Sequence, residues 1–186
     1  MFIQTEPTPN PATLKFIPGK TVLGDGTVDF RDKSEAAASP LAQRLFGVEG
    51  VTGVFLGSDF ISVTKSEHDE WQHLKPAILG AIMEHYLSGA PVIADGERAE
   101  EEVHEHYDPK DEDTVRTIKE LLDTRVRPAV ANDGGDIVFH GFKDGVVFLH
   151  MRGACSGCPS STATLRHGIE NLLRHFCPDV QEVRPI

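Results

Sequence analysis

The chain has 186 residues, 39% of them hydrophobic, and a formal net charge of −11 at pH 7, which suits one large domain or two small ones. That acidity argues against nucleic acid as the main ligand, because a binder neutralises phosphates with clustered Lys and Arg, but it suits basic protein partners. Three cysteines are few, and odd in number, for a secreted disulfide scaffold, so a reducing compartment is expected.

The opening "MFIQTEPTPNPATLKF" has neither the basic and apolar regions of a signal peptide nor the Arg- and Ser-rich character of a mitochondrial presequence. No apolar run approaches the ~18 residues of a membrane span. The expectation is a cytoplasmic protein of bacterial type with no membrane partner, or one of the mitochondrial matrix if a presequence has been removed.

Phe2 to Thr5 and Thr13 to Ile17 read as strands around the turn-forming "PTPNP". Ser39-Pro40 opens a helix through Leu41, Leu45 and Phe46, with Ser as N-cap and Pro at the first helical position. "VTGVFLGSDFISVT" predicts a hairpin turning at Gly57-Ser58-Asp59. A helix beginning at Trp71 or Pro76 and running to Tyr86 places Leu74, Ile78, Leu79, Ile82 and Tyr86 on one face.

"ADGERAEEEVHEHYDPKDED" is acidic and poor in large apolar residues, so it cannot bury enough area to offset its ordering entropy. It reads as a solvated linker, and His104 and His106 in it read as polar linker residues rather than a metal site. Beyond it, Val115, Ile118, Leu121, Leu122 and Val126 recur at helical spacing, with Pro128 expected to stop the helix. "DIVFHGF" and "GVVFLHM" form a hairpin through Lys143-Asp144-Gly145. A further helix carries Leu165, Ile169, Leu172, Leu173 and Phe176, and "DVQEV" reads as a last strand. The predicted organisation is α+β throughout: a domain over residues 1–93, an acidic linker over 94–112, and an α-β-β-α-β domain over 113–186.

The chemistry lies in "RGACSGCPSST". Pro159 is best tolerated at the first position of a helix, which makes Cys158 the N-cap and puts Cys155 in the loop before it. Free N–H groups and the helix dipole there favour thiolates, the form that attacks and binds metal. Gly153 and Gly157 let backbone approach whatever the sulfurs hold. Arg152 and Arg166 read as surface residues. Most thiolate metal sites want four ligands. Cys177 lies about 27 Å along the same helix, His167 is also too far, and His150 completes the site only in part. One chain therefore offers two good sulfurs, and two chains on a two-fold axis would bring four together.

"DGGDIVFHG" and "GACSGCPSSTATLRHGIENLL" closely resemble the C-terminal domain of the NifU-like (Nfu) iron–sulfur proteins. "TEPTPNPATLKF", the hairpin near Gly50 to Thr64 and "EWQHLKPAI" are similar to the domain found ahead of it in many of them. The resemblance implies a non-enzymatic scaffold or carrier holding a labile 4Fe–4S cluster between the subunits of a homodimer. Cys155 and Cys158 of each subunit would be the ligands, and the cluster, received from assembly donors, would pass to apo-proteins. Asp133, Gly134, Gly135 and Asp136 match the family's "DGGD" turn, and Cys177 has no assigned role. The N-terminal domain is implied to recognise recipients or assembly partners.

Two other readings of the C-x-x-C remain open. A thiol–disulfide oxidoreductase uses the same pair at a helix N-terminus, but after the first strand of a βαβ unit rather than after a late hairpin. A structural zinc site bridging two chains would use the same ligands. Enzyme signals fail elsewhere. "PGKT" lacks the earlier glycine of a phosphate-binding loop, that position being Leu14. Ser160 and Ser161 lack a placed base.

Overall fold

Alternation along short strands builds the first sheet. In β4 (Val51–Leu56) and β5 (Ile61–Lys65), Val54, Leu56, Ile61 and Val63 face one side. On the other, Phe55 meets Phe60 with ring centroids 5.9 Å apart. With β1 (Gln4–Pro7), β2 (Thr13–Ile17) and β3 (Val28–Phe30), they form an antiparallel sheet of order β1-β2-β5-β4-β3. The computed structural model describes residues 1–94, 105–156 and 159–186, the side chains of 159–161 apart. Two units result, Met1–Glu100 and Glu101–Ile186.

In the first unit, a 3-10 turn at Lys33–Ala38 leads into α1 (Pro40–Phe46). Ser39 caps α1 as expected, its Oγ accepting from Ala42 N at 3.1 Å, with Pro40 in the first turn. Helix α2 (Trp71–Ser88) starts at the earlier of the two anticipated positions. Glu70 O accepts from His73 N and Leu74 N at 3.0 and 3.2 Å, so the first turn forms and Pro76 omits only one later bond. Leu41, Leu45 and Phe46 of α1 join Leu74, Ile78 and Ile82 of α2 and Phe16 of β2 in one core. Each fully buried Leu, Ile or Phe there stabilises by about 1.5–3 kcal/mol.

The fourth buried position of α2 is His85, not the expected Tyr86, which is only half-buried. His85 lies three residues past Ile82 and seven past Ile78, directly on the apolar stripe. It is 0% exposed, and neither ring nitrogen has a hydrogen-bond partner among the described residues. Burial, then the charge of Arg44, hold its pKa below the ordinary 6.5. As pH falls below about 6.5, the unfolded chain takes up a proton that the folded one resists, so stability present above that pH is lost in acid. His85→Leu is expected to stabilise this unit by about 1 kcal/mol and to flatten its acid dependence. Urea unfolding at pH 7.5 and 5.5 checks both, and a destabilised variant would show that the ring is needed.

In the second unit, β6 (His106–Tyr107), β7 (Gly135–Lys143), β8 (Val146–Gly153) and β9 (Glu182–Pro185) form a mixed sheet in that order. The central pair is antiparallel and both outer pairs are parallel. Its hairpin turns at Asp144-Gly145, both at positive φ (52° and 80°), as a tight two-residue turn demands. Helices α3 (Glu112–Leu121), α4 (Arg127–Asn132) and α5 (Pro159–Phe176) supply Val115, Ile118, Val130, Ile169 and Leu173 to a core with Ile137, Phe139, Val147, Leu149 and Met151.

Four expectations are corrected here. The stretch 94–112 is not all solvated linker: His106–Tyr107 pairs with Gly141–Phe142, and Asp108 caps a turn at Pro109–Asp111, accepting from Lys110 N at 3.0 Å. The unit therefore begins with a strand ahead of the anticipated α-β-β-α-β order. Pro128 does not stop the helix. A π-helical stretch at Leu122–Val126 widens the turn that the proline ring would otherwise strike, and Pro128 then falls in the first turn of α4. Phe176 is 46% exposed beneath the Arg125 guanidinium, 5.2 Å from its ring centroid, and Cys177 fills the buried position instead. The last strand starts later than anticipated, at Glu182, because Gln181 N and Glu182 N both bond Gly145 O, at 2.7 and 3.2 Å.

Candidate metal centre

Strand β8 delivers the chain to Cys155 and helix α5 begins at Pro159, as the sequence predicts. Cys158 lies outside the described residues. Cys155 is 7% exposed and packs with the core of the second unit. Its loop is closed by Ser156 N and Ser156 Oγ donating to Gly153 O at 3.1 and 2.9 Å, and by Thr162 Oγ1 donating to Cys155 O at 3.0 Å.

The opposite wall is the segment between α4 and β7. Asp133 N donates to Val130 O at 3.1 Å and Gly134 N to Ala131 O at 3.0 Å, turning the chain out of the helix. Gly134 O then accepts from Ala154 N at 3.2 Å, and Gly135 pairs with Gly153. A Cβ on Gly135 would stand 2.7 Å from Cys155 Sγ and 2.7 Å from Arg152 O. The second contact is with backbone, so a side chain there must displace the cysteine loop. Gly135→Ala is expected to destabilise the unit by about 1–3 kcal/mol, the range for overpacking. It should also shift Cys155 resonances in NMR spectra. Unchanged stability would contradict this close approach.

Asp136 is 3% exposed and ionically paired. Arg127 Nε and Nη2 donate to its two oxygens at 2.9 Å each, and Ile137 N donates to Oδ1 at 2.8 Å. Arg127 Nη1 also reaches Asp123 Oδ1 at 3.2 Å. The hydrogen bond with Asp136 is the foremost cause that raises the guanidinium's pKa. Residue type alone did not single out Arg127.

Burial first, then the charges of Asp133 and Asp136, push the pKa of the Cys155 thiol up to about 12, against the helix terminus, which favours the thiolate.

The remaining candidates do not converge on it. Cys177 is a free, buried thiol just beyond the 18-residue α5, and burial followed by Asp179 raises its pKa as well. His167 is exposed on the same helix. His150 Nε2 lies 3.0 Å from His140 Nδ1, so that ring is engaged on the sheet. His106 stacks edge-on to His140 with centroids 5.5 Å apart, and His104 lies outside the described residues. Arg152 and Arg166 are half-buried rather than exposed, and the buried Nε of Arg166 has no hydrogen-bond partner among the described residues. Among the described residues no group of three or more His, Cys, Asp or Glu could hold a metal ion, and no helix is long and apolar enough to cross a membrane.

Residues 3–89 match the family model for the N-terminal domain of the Nfu/NifU scaffold protein, and residues 118–184 match the NifU-like domain. Curated relatives are named NFU1 iron-sulfur cluster scaffold homolog, mitochondrial. The proteins of Drosophila sechellia and Drosophila virilis are 52% and 51% identical over the whole of this chain. The chain spans 65% and 62% of their respective lengths. A solution structure of a NifU-like protein from Saccharomyces cerevisiae is 27% identical, covering 51% of this chain and 86% of that one, with a TM-score of 0.46. With both units matched in order and the identity extending from end to end, the chain belongs to the Nfu/NifU scaffold-protein family.

Proposed function

We propose that the chain is a scaffold or carrier of iron–sulfur clusters rather than an enzyme. It holds a labile 4Fe–4S cluster between two copies of itself, each supplying Cys155 and Cys158, and passes it to apo-proteins. The observation carrying this reading is an incomplete ligand set. Cys155 follows the central hairpin, and among the described residues no group of three or more His, Cys, Asp or Glu that could hold a metal ion forms around it. A second copy is the simplest source of the missing ligands. The relatives' names support an iron–sulfur scaffold, and their mitochondrial designation favours that organelle over the cytosol. In this reading residues 106–186 carry the cargo, and residues 1–93 meet recipients or assembly donors.

The cluster is cargo, so the site must both take it up and let it go. Binding requires that the Cys155 thiol lose its proton, and release returns it. A ligand set split between chains couples release to dissociation.

Anaerobic reconstitution with iron and sulfide tests the reading. Broad visible absorption, iron and acid-labile sulfide in equal amounts, and a native mass of two chains are expected. Zinc without sulfide would support the structural alternative. A loaded single protomer with every ligand its own would overturn the shared site.

A further inference from the structure

The loop around Cys155 is tied on both sides of that residue. Ala154 N donates to Gly134 O at 3.2 Å, and Ser156 N and Oγ donate to Gly153 O at 3.1 and 2.9 Å. The carbonyl of Cys155 itself is taken by Thr162, whose Oγ1 donates to it at 3.0 Å. Thr162 is the fourth residue of α5. A helical threonine ordinarily turns its hydroxyl to the carbonyl three or four residues earlier in its own helix. Thr117 and Thr124 do so, donating to Asp113 O at 3.1 Å and Glu120 O at 2.7 Å. Thr162 instead reaches back seven residues, to a carbonyl outside the helix. Its bond spans the C-x-x-C motif, with Ser156, Gly157 and Cys158 between its two ends. Glycine gives such a stretch backbone freedom, and a bond across it removes part of that freedom.

We propose that Thr162 is a positioning residue for the cargo site: its hydroxyl ties Cys155 to α5, the helix that Cys158 precedes, and so sets how firmly the cluster is held. This rests on the reading that Cys155 and Cys158 hold the cluster. Thr162 acts through the Cys155 peptide rather than on the cluster, as groups behind a metal ligand do when they orient it. The two thiolates of one chain must meet the cargo at one spacing. A loop held near that spacing in advance loses less freedom on binding than one that samples many.

The test uses the full chain as wild type, Thr162→Val, Thr162→Ser and Thr117→Val. Valine keeps the branched shape without the hydroxyl, serine keeps the hydroxyl, and Thr117→Val removes a comparable hydroxyl from another helix of the same unit. In the empty chain, the Cys155 carbonyl resonance in NMR spectra should move in Thr162→Val and stay in place in Thr162→Ser. After anaerobic reconstitution, Thr162→Val is expected to lose its cluster to excess ferrous chelator about three- to tenfold faster than wild type, the size of one neutral hydrogen bond. Its visible circular dichroism, which reports how ligands are arranged around the cluster, should also change. Thr162→Ser and Thr117→Val should match wild type in both. Wild-type extraction from Thr162→Val overturns the proposal. Faster extraction with unchanged dichroism also overturns it, because the loss would then come from a less stable fold. A serine variant that behaves like the valine one, or an unmoved carbonyl resonance in Thr162→Val, overturns it too. A wild-type chain that takes up no cluster overturns the reading of the two cysteines and this inference with it, whereas failure of the inference alone leaves wild type loaded.

Discussion

Cys155→Ala and Cys158→Ala are each expected to abolish cluster retention after anaerobic reconstitution, whereas Cys177→Ala is expected to leave it intact. In a site shared by two identical chains, each substitution removes two ligands at once, because the two-fold axis repeats the change. The remaining pair cannot enclose a cluster that wants four thiolates. Cys177 follows the last residue of an 18-residue helix that begins just after the motif, about 27 Å away at 1.5 Å per residue. Its thiol is buried where Phe176 was expected to pack, so alanine there costs packing and no ligand. Alanine at Cys155 leaves only a small gap in the core, worth about 1 kcal/mol. The variant should therefore fold, and its failure to bind can be read as loss of a ligand. Iron, sulfide and native mass decide the matter, and a cluster surviving loss of either motif cysteine would refute the assignment.

What the sequence revealed, and what it hid, follows from the range of the interactions. The Ser39 cap, the Asp144-Gly145 turn and the opening of α5 at Pro159 are legible because each is decided by a few neighbouring residues. The central hairpin is legible because alternation exposes its two faces. The two-residue strand β6 was hidden because its pairing partner, Gly141–Phe142, is distant in sequence. The passage of the helix through Pro128 was hidden because a π-helical stretch overrides the ordinary penalty. At the site, local reasoning predicted a helix terminus that favours thiolates. The opposing influences on Cys155, burial in the core and then the charges of Asp133 and Asp136, come from residues distant in sequence. His85 was passed over in favour of Tyr86, although periodicity places it on the buried face with Ile78 and Ile82.

Arg127→Leu is expected to destabilise the second unit by about 3 kcal/mol near neutral pH, toward the low end for breaking a buried ion pair because the arginine is partly exposed. The loss arises less from the missing attraction than from what remains. Asp136, 3% exposed, keeps the bond from Ile137 N but loses its counter-charge. Arg127→Lys should restore only part, since an ammonium cannot reproduce two parallel bonds of 2.9 Å each from a planar fork. Arg127→Leu combined with Asp136→Leu should recover at least half, because no charge is left buried. Urea unfolding of the full chain, with the two units resolved by separate probes, measures all three. An Arg127→Leu variant as stable as wild type would mean that the pair does not hold this turn.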